Sequence, residues 1–259
     1  MVYRALFLLV LLHTATVALA DCGGGGINYY PRRQQVSLNP MFVVEANQMF
    51  ASVVDSFQHK SLYLENDEGT VIELELQKIY KGQFLASQAI FRSPRKLKPF
   101  TTYYLLQVSS EGNWYRLTRR NRKTQTKEYI SWMTTDKESA ETLPPGLKIE
   151  FEETQVIGYG CGDAAYAVFK VRKKADQDMW YKTEVVEVGS DKVRTYYLQE
   201  RNGLLQVGHG MCSGAFKFKR KAKYKVRFTP MNVDGQPLRT TKWIAFDSPY
   251  MNQDGILGG

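Results

Sequence analysis

Residue-by-residue alternation of apolar and polar side chains constrains the fold of this chain more than any other feature of its sequence. The segments 71–76 and 223–228 both alternate in this way. A period of two places successive side chains on opposite faces of a strand, so each segment is expected to bury one face and expose the other. Only the segment 46–58 predicts a short helix. The pattern therefore predicts an all-β protein.

Turn signals separate several more short strands. The Asn-Gly pair at 202–203 and the Asp-Gly pair at 234–235 supply the positive φ that tight hairpins need. Aromatic residues, 13% of the chain, pack well on pleated surfaces. Many short strands with regular turns are typical of a β-sandwich or barrel. Further strands are predicted at 40–46, 101–108, 127–134, 147–152, 165–173, 193–200 and 241–246.

A polar segment that ends in Pro-Pro-Gly divides the chain into two units. Such segments are typical of boundaries between domains. The sequence therefore predicts two consecutive β-sandwiches with ends that are expected to be flexible. The predicted organisation is a flexible Gly-rich segment at 21–28, a first β-sandwich at 29–137, a linker at 138–146, a second β-sandwich at 147–248 and a flexible tail at 249–259.

One motif in the first unit points to a known family. Residues 97–103 have the pattern Leu-x-Pro-x-Thr-x-Tyr. This pattern resembles the tyrosine corner of fibronectin type III modules, and bacterial immunoglobulin-like modules fit the chain equally well. The resemblance implies that the Tyr103 hydroxyl satisfies backbone groups where the chain crosses between sheets. It also implies that Leu97 packs beneath the turn and that Pro99 shapes it.

The second unit carries a weaker version of the motif. Tyr224 takes the position of the corner tyrosine and Phe218 that of the leucine, but Arg220 stands where the family has proline. The resemblance therefore implies two consecutive immunoglobulin-like or fibronectin-III-like β-sandwiches. Proteins of this architecture have many functions, so the fold alone assigns none.

The first 20 residues have the pattern of a secretory signal peptide. Arg4 precedes the apolar run 5–12, and residues 18–20 have the small-x-small pattern of a cleavage site. A retained membrane anchor and a lipoprotein acylated at Cys22 are the alternatives, although the apolar segment is short for a membrane span. No later stretch is long and apolar enough to cross a bilayer. We therefore expect an exported chain, located in the periplasm, at the cell surface or outside the cell.

Export would expose three cysteines to an oxidising environment, where thiols tend to pair. Because three is odd, at least one cysteine lacks an internal partner. Cys161 and Cys212 both lie in the second unit with glycine neighbours, and a bridge between them would close a loop of about 50 residues. The favoured disulfide is therefore Cys161–Cys212. Pairings with Cys22 and free thiols remain as alternatives.

The surroundings of Cys212 also suggest a nucleophile, because residues 208–214, GHGMCSG, resemble the sharp elbow of hydrolases. That elbow needs a following helix, and none is predicted after Gly214. His209 lies too close along an extended segment to be a convincing base. No His/Cys cluster has zinc-ligand spacing, and no carboxylate pair for a glycosidase is identifiable. The sequence therefore predicts a non-catalytic protein without metal or cofactor.

Basic residues give the chain a net charge of +9, with 35 Lys and Arg against 26 Asp and Glu. Two clusters stand out, at 116–127 and 217–227. A row of cations at strand spacing could bind a polyanion, although no nucleic-acid-binding motif accompanies the charge. The alternative is a solvated face that protects sheet edges from aggregation. The candidate polyanion-binding residues are Arg116, Arg119, Arg120, Arg122, Lys123, Lys223, Lys225 and Arg227.

The four tryptophans divide into two groups by position. Trp132 and Trp243 lie in predicted closing strands and are expected in the cores. Trp114 and Trp180 adjoin turns, so they are the candidates for an aromatic platform on which a sugar ring could stack.

These features predict an exported, non-catalytic binding or adhesion protein whose partner is a protein, a glycan or another polyanion. The alternative function is polyanion binding, to glycan, lipopolysaccharide or nucleic acid, through the basic strand faces. A secreted hydrolase and a pilus-chaperone-like protein are weaker alternatives. The chain has no convincing counterpart of the basic anchor motif that the chaperones carry near their first strand.

Overall fold

The computed structural model describes residues 22–121, 124–140, 147–160, 162–172 and 178–251. Strands dominate the described chain, so the all-β prediction is confirmed. None of the helices in these ranges is long and apolar enough to cross a bilayer. Several predictions fall outside the described residues: the signal peptide at 1–20, Arg122, Lys123, Cys161, the linker beyond Ala140 and the tail beyond Met251.

The first unit comprises residues 22–140. Its strands are β1 (Gly26–Tyr30), β2 (Gln35–Val36), β3 (Met41–Asn47), β4 (Leu62–Asn66), β5 (Val71–Glu73), β6 (Glu75–Lys81), β7 (Ala86–Arg92), β8 (Thr102–Val108), β9 (Trp114–Arg116), β10 (Thr118–Arg120), β11 (Lys127–Tyr129) and β12 (Ser131–Thr134). They form one sheet of order β1-β3-β7-β6 and a second of order β2-β12-β8-β4-β5, with β9 paired to β8 and a separate β10–β11 hairpin.

A single core fills the space between these two sheets. Phe42 and Phe91 come from the first sheet, and Leu64, Leu105 and Trp132 from the second. Each such side chain contributes about 1.5–3 kcal/mol when it is fully removed from water. The predicted core position of Trp132 is confirmed, since its ring lies 4.8 Å from that of Phe42.

The short helix predicted in the segment 46–58 is also present. Helix α1 (Ala51–Asp55) lies between two 3₁₀ turns, Gln48–Phe50 and Ser56–Gln58. Val54 and Phe57 are buried in the first-unit core. The segment therefore turns Val54 and Phe57 inward, whereas Met49 is exposed.

The second unit comprises the described residues from 147 to 251. Its strands are β13 (Ile149–Tyr159), β14 (Gly162–Val171), β15 (Trp180–Glu187), β16 (Arg194–Leu198), β17 (Leu204–His209), β18 (Lys223–Met231) and β19 (Ile244–Asp247). The sheets have the orders β13-β14-β17 and β16-β15-β18-β19. Between them lies a second core that includes Phe169, Leu205, Val226 and Phe228.

A tyrosine hydroxyl closes the same kind of turn in each unit. The Tyr103 hydroxyl accepts a hydrogen bond from the backbone N–H of Lys98 at 3.0 Å. The Tyr224 hydroxyl accepts one from the backbone N–H of Lys219 at 2.8 Å. Both tyrosines are buried, so each hydroxyl satisfies a backbone donor where the chain enters the next strand.

The backbone of the two corners is alike even though only the first contains proline. Phe100 and Lys221 hold corresponding places and both have positive φ, of 50° and 55°. Leu97 is buried beneath the first corner, while Pro99 is exposed. The second corner was expected to be the weaker match because of Arg220. It nevertheless has the same hydrogen bond and the same backbone turn as the first.

The predicted Cys161–Cys212 disulfide is wrong. Cys212 bonds instead to Cys22, with 5.6 Å between their Cα atoms and 190 residues between them in sequence. The Gly-rich start of the chain is less free than expected, because β1 begins at Gly26 and pairs with β3. Cys22 is therefore held where it can bridge the two units. Because the Cys212 sulfur is used in this bond, Cys212 is not a free nucleophile.

The GHGMCSG loop is part of the junction between the units. Phe84 and Gly214 exchange backbone hydrogen bonds of 3.1 and 2.6 Å. A Cβ at Gly214 would lie 2.2 Å from the Cα of His209, so only glycine fits there. Gly214 thus allows the loop to fold back closely on His209 within the second unit.

Two further contacts join the units away from this loop. The Gln88 side chain donates to the Tyr197 carbonyl at 2.8 Å and accepts from its N–H at 3.0 Å. The Arg92 guanidinium donates to the Asp234 carbonyl at 2.6 Å. A small apolar cluster that contains Ile90 and Trp180 fills the space between these contacts.

Candidate binding face

Aromatic side chains gather on the outward face of the larger sheet in the first unit. Tyr103 and Leu105 of β8 point into the core, so their neighbour Tyr104 points outward. The register places Tyr63 of β4 opposite Leu106, and Leu106 opposite Arg116 of β9. We define the aromatic face as Tyr63, Tyr104, Trp114, Arg116 and Tyr129.

The rings of this face contact one another and remain open to solvent. Tyr63 and Trp114 lie 4.7 Å apart in an edge-to-face arrangement, and Tyr104 and Tyr129 lie 6.2 Å apart. Trp114 is 52% exposed and Tyr129 is 55% exposed. Edge-to-face pairs are favourable arrangements of aromatic rings, so the rings order one another without being buried.

Arg116 lies against one of these two pairs of rings. Its guanidinium lies 3.9 Å from the Tyr104 ring centre and 5.9 Å from that of Tyr129. The same group forms an ion pair with Glu65 at 2.7 Å. The cation is therefore held between aromatic rings and a carboxylate. Its charge is compensated within the face.

Met133 enlarges the apolar area beside the aromatic face. It lies on β12 next to β8 and its side chain is exposed. Trp, Tyr, Arg and Met are the residues enriched at the centres of protein–protein interfaces. The composition of this surface therefore matches an interface more closely than an ordinary solvated sheet face.

Arg119 and Arg120 of the first basic cluster are also bonded to neighbouring groups. Arg119 forms an ion pair with Glu128 at 2.8 Å. The hydrogen bond from Arg119, with a second from Asn121, holds the pKa of Glu128 below its usual value. Arg120 donates to the Gln125 carbonyl at 3.3 Å. The β10–β11 hairpin thus carries internally bonded arginines.

The second basic cluster forms the predicted row along β18, but acids from neighbouring strands interrupt it. Arg227 makes two hydrogen bonds to Glu184, at 2.9 and 3.1 Å. Lys223 lies 3.8 Å from Asp247. Lys225 is exposed in the register between Val186 and Ala245.

The two candidate platform tryptophans have opposite environments. Trp114 is exposed in the aromatic face, but Trp180 is only 2% exposed and packs edge-on against Tyr30 at 5.0 Å. The proposal of Trp180 as a platform is therefore wrong, because the first unit covers it. Trp243, expected in the core, is 38% exposed and lies under the Arg227 guanidinium at 4.6 Å.

No group of three or more potential metal ligands occurs among the described residues. The aromatic face likewise offers contact surface rather than reactive groups. Sequence analysis found Trp114 and Arg116 but missed Tyr63, Tyr104 and Tyr129. Alternation within their strands marks the outward side of Tyr63 and Tyr104, but only the strand order brings them to Trp114.

No protein-family model and no curated protein sequence matches the chain. Among solved structures, it is similar to pullulanase from Anoxybacillus sp. LM18-11, with 12% identity over 83% of this chain and a TM-score of 0.26. The match spans 25% of the pullulanase chain.

Two further solved structures are similar over nearly their whole length. One is a chain of a cytokine receptor complex, with 10% identity over 88% of this chain and 99% of that chain and a TM-score of 0.26. The other is a two-domain fibronectin type III segment of chicken tenascin, with 9% identity over 86% and 98% and a TM-score of 0.22. Nothing about function follows from similarities of this size.

Proposed function

We propose that this chain is a non-catalytic binding protein that contacts another protein through its aromatic face. The observation that carries the proposal is the cluster of partly exposed Trp and Tyr rings on one surface of the first unit, with Arg116 against two of them. Such a surface presents large contact area that is already ordered, which lowers the entropy lost on binding. Interface hot spots are enriched in these residue types.

The geometry favours a protein partner over a glycan or a polyanion. The Tyr63 and Trp114 rings are inclined by 63°, so they form ridges and notches rather than one flat platform. Protein side chains can pack into such an uneven surface, whereas a sugar ring stacks on a flat aromatic face. The ion pair of Arg116 with Glu65 leaves little uncompensated charge for a polyanion.

We also propose that the two units are fibronectin-III-like or immunoglobulin-like modules of an exported protein. The two tyrosine corners support the first part, because each unit closes its turn with the same hydroxyl–backbone bond. The Cys22–Cys212 bridge supports the second, because disulfides persist in oxidising compartments.

Site-specific photo-crosslinking tests the proposed face. A benzophenone amino acid replaces Met133 beside the face, or Lys225 on the second unit as the matched control. Each protein is exposed to secreted and cell-surface proteins of the source organism. We expect one defined adduct from position 133, lost on Trp114→Ala and kept on Trp243→Ala, and none from position 225.

Three results would contradict this function. Equal adducts from both positions would show non-specific contact, and an adduct that survives Trp114→Ala would place the interface elsewhere. Binding to a glycan array without any protein adduct would replace a protein partner by a carbohydrate.

A further inference from the structure

A cleft of about 630 Å³ lies between the two units. This volume is in the range of clefts that hold small ligands. None of the aromatic-face residues lines the cleft, so it is a separate feature. Its wall includes Tyr30, Arg32 and Glu45 of the first unit and Asp178, Tyr196 and Glu200 of the second.

Glu45 is fixed in the wall of this cleft by three donors. Its Oε1 accepts hydrogen bonds from Gln88 at 3.0 Å and from the Tyr196 hydroxyl at 3.3 Å. Its Oε2 accepts one from the Tyr30 hydroxyl at 3.4 Å. Burial raises the pKa of Glu45, although these hydrogen bonds oppose the effect. The carboxylate is thus pre-oriented, and Oε2 is the less saturated oxygen.

The two tyrosine hydroxyls beside Glu45 have no further proton to donate to a ligand. A tyrosine hydroxyl has one proton, and Tyr30 and Tyr196 both direct theirs to Glu45. Glu200, also in the wall, accepts a hydrogen bond from the Tyr181 hydroxyl at 2.9 Å. A ligand that brings several N–H donors would complement this wall.

Charges of both signs line the cleft. Three carboxylates, Glu45, Asp178 and Glu200, face two guanidinium groups, Arg32 and Arg201, and Asp178 is also ion-paired with Arg33 at 3.4 Å.

One of these guanidinium groups shows how a cation fits beside Glu45. The Arg32 guanidinium lies 5.0 Å from the Tyr30 ring centre and donates to the Tyr30 hydroxyl at 3.1 Å. The Arg32 side chain is exposed, so its guanidinium can move away from the Tyr30 ring at a small cost in free energy.

We propose that the cleft binds an organic cation, a primary amine or a guanidinium group. Glu45 is its counter-ion and the Tyr30 ring is its aromatic contact, and Arg32 covers this position in the free protein. A cation with several N–H donors pairs with a carboxylate and a ring together, which a neutral or anionic ligand does not.

Calorimetric titration of the full chain tests the site. The probe is ethylguanidinium, and the matched neutral control is ethylurea. We expect the wild type to bind ethylguanidinium and not ethylurea, and Arg32→Ala to bind it several-fold more tightly because the internal competitor is gone. Glu45→Gln should weaken binding at least about tenfold.

A matched variant separates charge at the cleft from damage to the junction. Asp234→Asn removes another buried carboxylate at the junction, outside the lining of the cleft, and should leave binding unchanged. Trp114→Ala should also leave it unchanged, so failure of this site and failure of the aromatic face are distinguishable.

The proposal is overturned by any of three results. These are no ethylguanidinium binding by wild type and Arg32→Ala, equal binding of ethylurea, or full binding by a folded Glu45→Gln. If Glu45→Gln fails to fold, Arg32→Ala decides alone, and unchanged affinity in that variant contradicts the site.

Discussion

The outward face of the first unit carries a cluster of aromatic rings with Arg116 against two of them, whereas the outward face of β18 in the second unit carries a row of three cations, two of which are paired with acids. Both sheets follow a tyrosine corner of the same geometry. In the first, the strands beside Arg116 contribute tyrosines. In the second, the strand beside Arg227 contributes Glu184.

A high density of basic residues in the sequence therefore does not by itself identify a binding site. The two clusters have similar sequences. The residues on the neighbouring strands determine whether the surface around each cluster is mainly charged or mainly aromatic. Arg116 and Arg227 each pair with a carboxylate and lie over an aromatic ring. They differ in their surroundings, because Arg116 lies in a cluster of aromatic side chains, whereas Arg227 lies in a row with Lys223 and Lys225.

Removing the disulfide should have the largest effect, because this bond joins the two units covalently. Replacement of both Cys22 and Cys212 by Ala should lower the free energy of unfolding by about 2–5 kcal/mol. Chemical denaturation measures the change. If stability is unaffected, the two units are joined by their non-covalent contacts alone.

The two corners should be equally important if the units share one framework. Tyr103→Phe and Tyr224→Phe each remove one hydroxyl and should each cost about 1–3 kcal/mol, since a backbone N–H loses its partner. Denaturation curves of the two variants measure the costs. A large cost in the first unit and none in the second would mean that the second corner is not a supporting element.

Two arginines provide a matched test of the faces. Arg116→Gln and Arg227→Gln each leave a partly exposed carboxylate unpaired and should destabilise by about 1 kcal/mol after allowance for solvent screening. Only Arg116→Gln should also weaken partner binding, because only Arg116 orders the aromatic face. Loss of binding in both variants would end the distinction between the faces.

The smallest expected effect is a pH dependence at the junction. Burial raises the pKa of Glu45 above its ordinary 4.5, so the folded state keeps this proton at pH values where the unfolded state has lost it. Stability from this group is therefore lost as pH rises through the raised pKa and is regained as pH falls toward 4.5.

Thermal unfolding of wild type and Glu45→Gln between pH 4.5 and 7.5 checks the sign. The Tm of wild type relative to the variant should rise as pH falls from neutral toward 5. The opposite slope would mean that Glu45 is stabilised in its charged form.

Alternation predicted strands around 102–108 and 223–231, in which one side meets a core and the other meets water. It did not predict β15, whose burial also alternates. Strand β7, nearly all of whose residues are buried, was also missed. The second unit covers its outer side, where Gln88 and Ile90 meet residues of that unit. Such a strand lacks the solvent-exposed face that an alternation of apolar and polar residues indicates.

The predictions for Trp180 and Cys212 failed because both residues lie at the junction between the two units. Trp180 adjoins a turn, which favours exposure, but the first unit packs over it. The partner of Cys212 is 190 residues away, and only the meeting of the two units brings Cys22 to it. The candidate face was half predicted, since Trp114 and Arg116 are marked by local sequence and their tyrosine neighbours come from other strands.

The most direct test of the central claim is the affinity of the crosslinked partner for three proteins. These are wild type, the double variant Trp114→Ala/Tyr129→Ala, and Trp243→Ala as a matched loss of an exposed tryptophan on the second unit. We expect the double variant to bind at least about 30-fold more weakly, as for a hot spot of 2 kcal/mol or more. Trp243→Ala should bind like wild type. Equal affinity of the double variant and wild type, or an equal loss in Trp243→Ala, would contradict it.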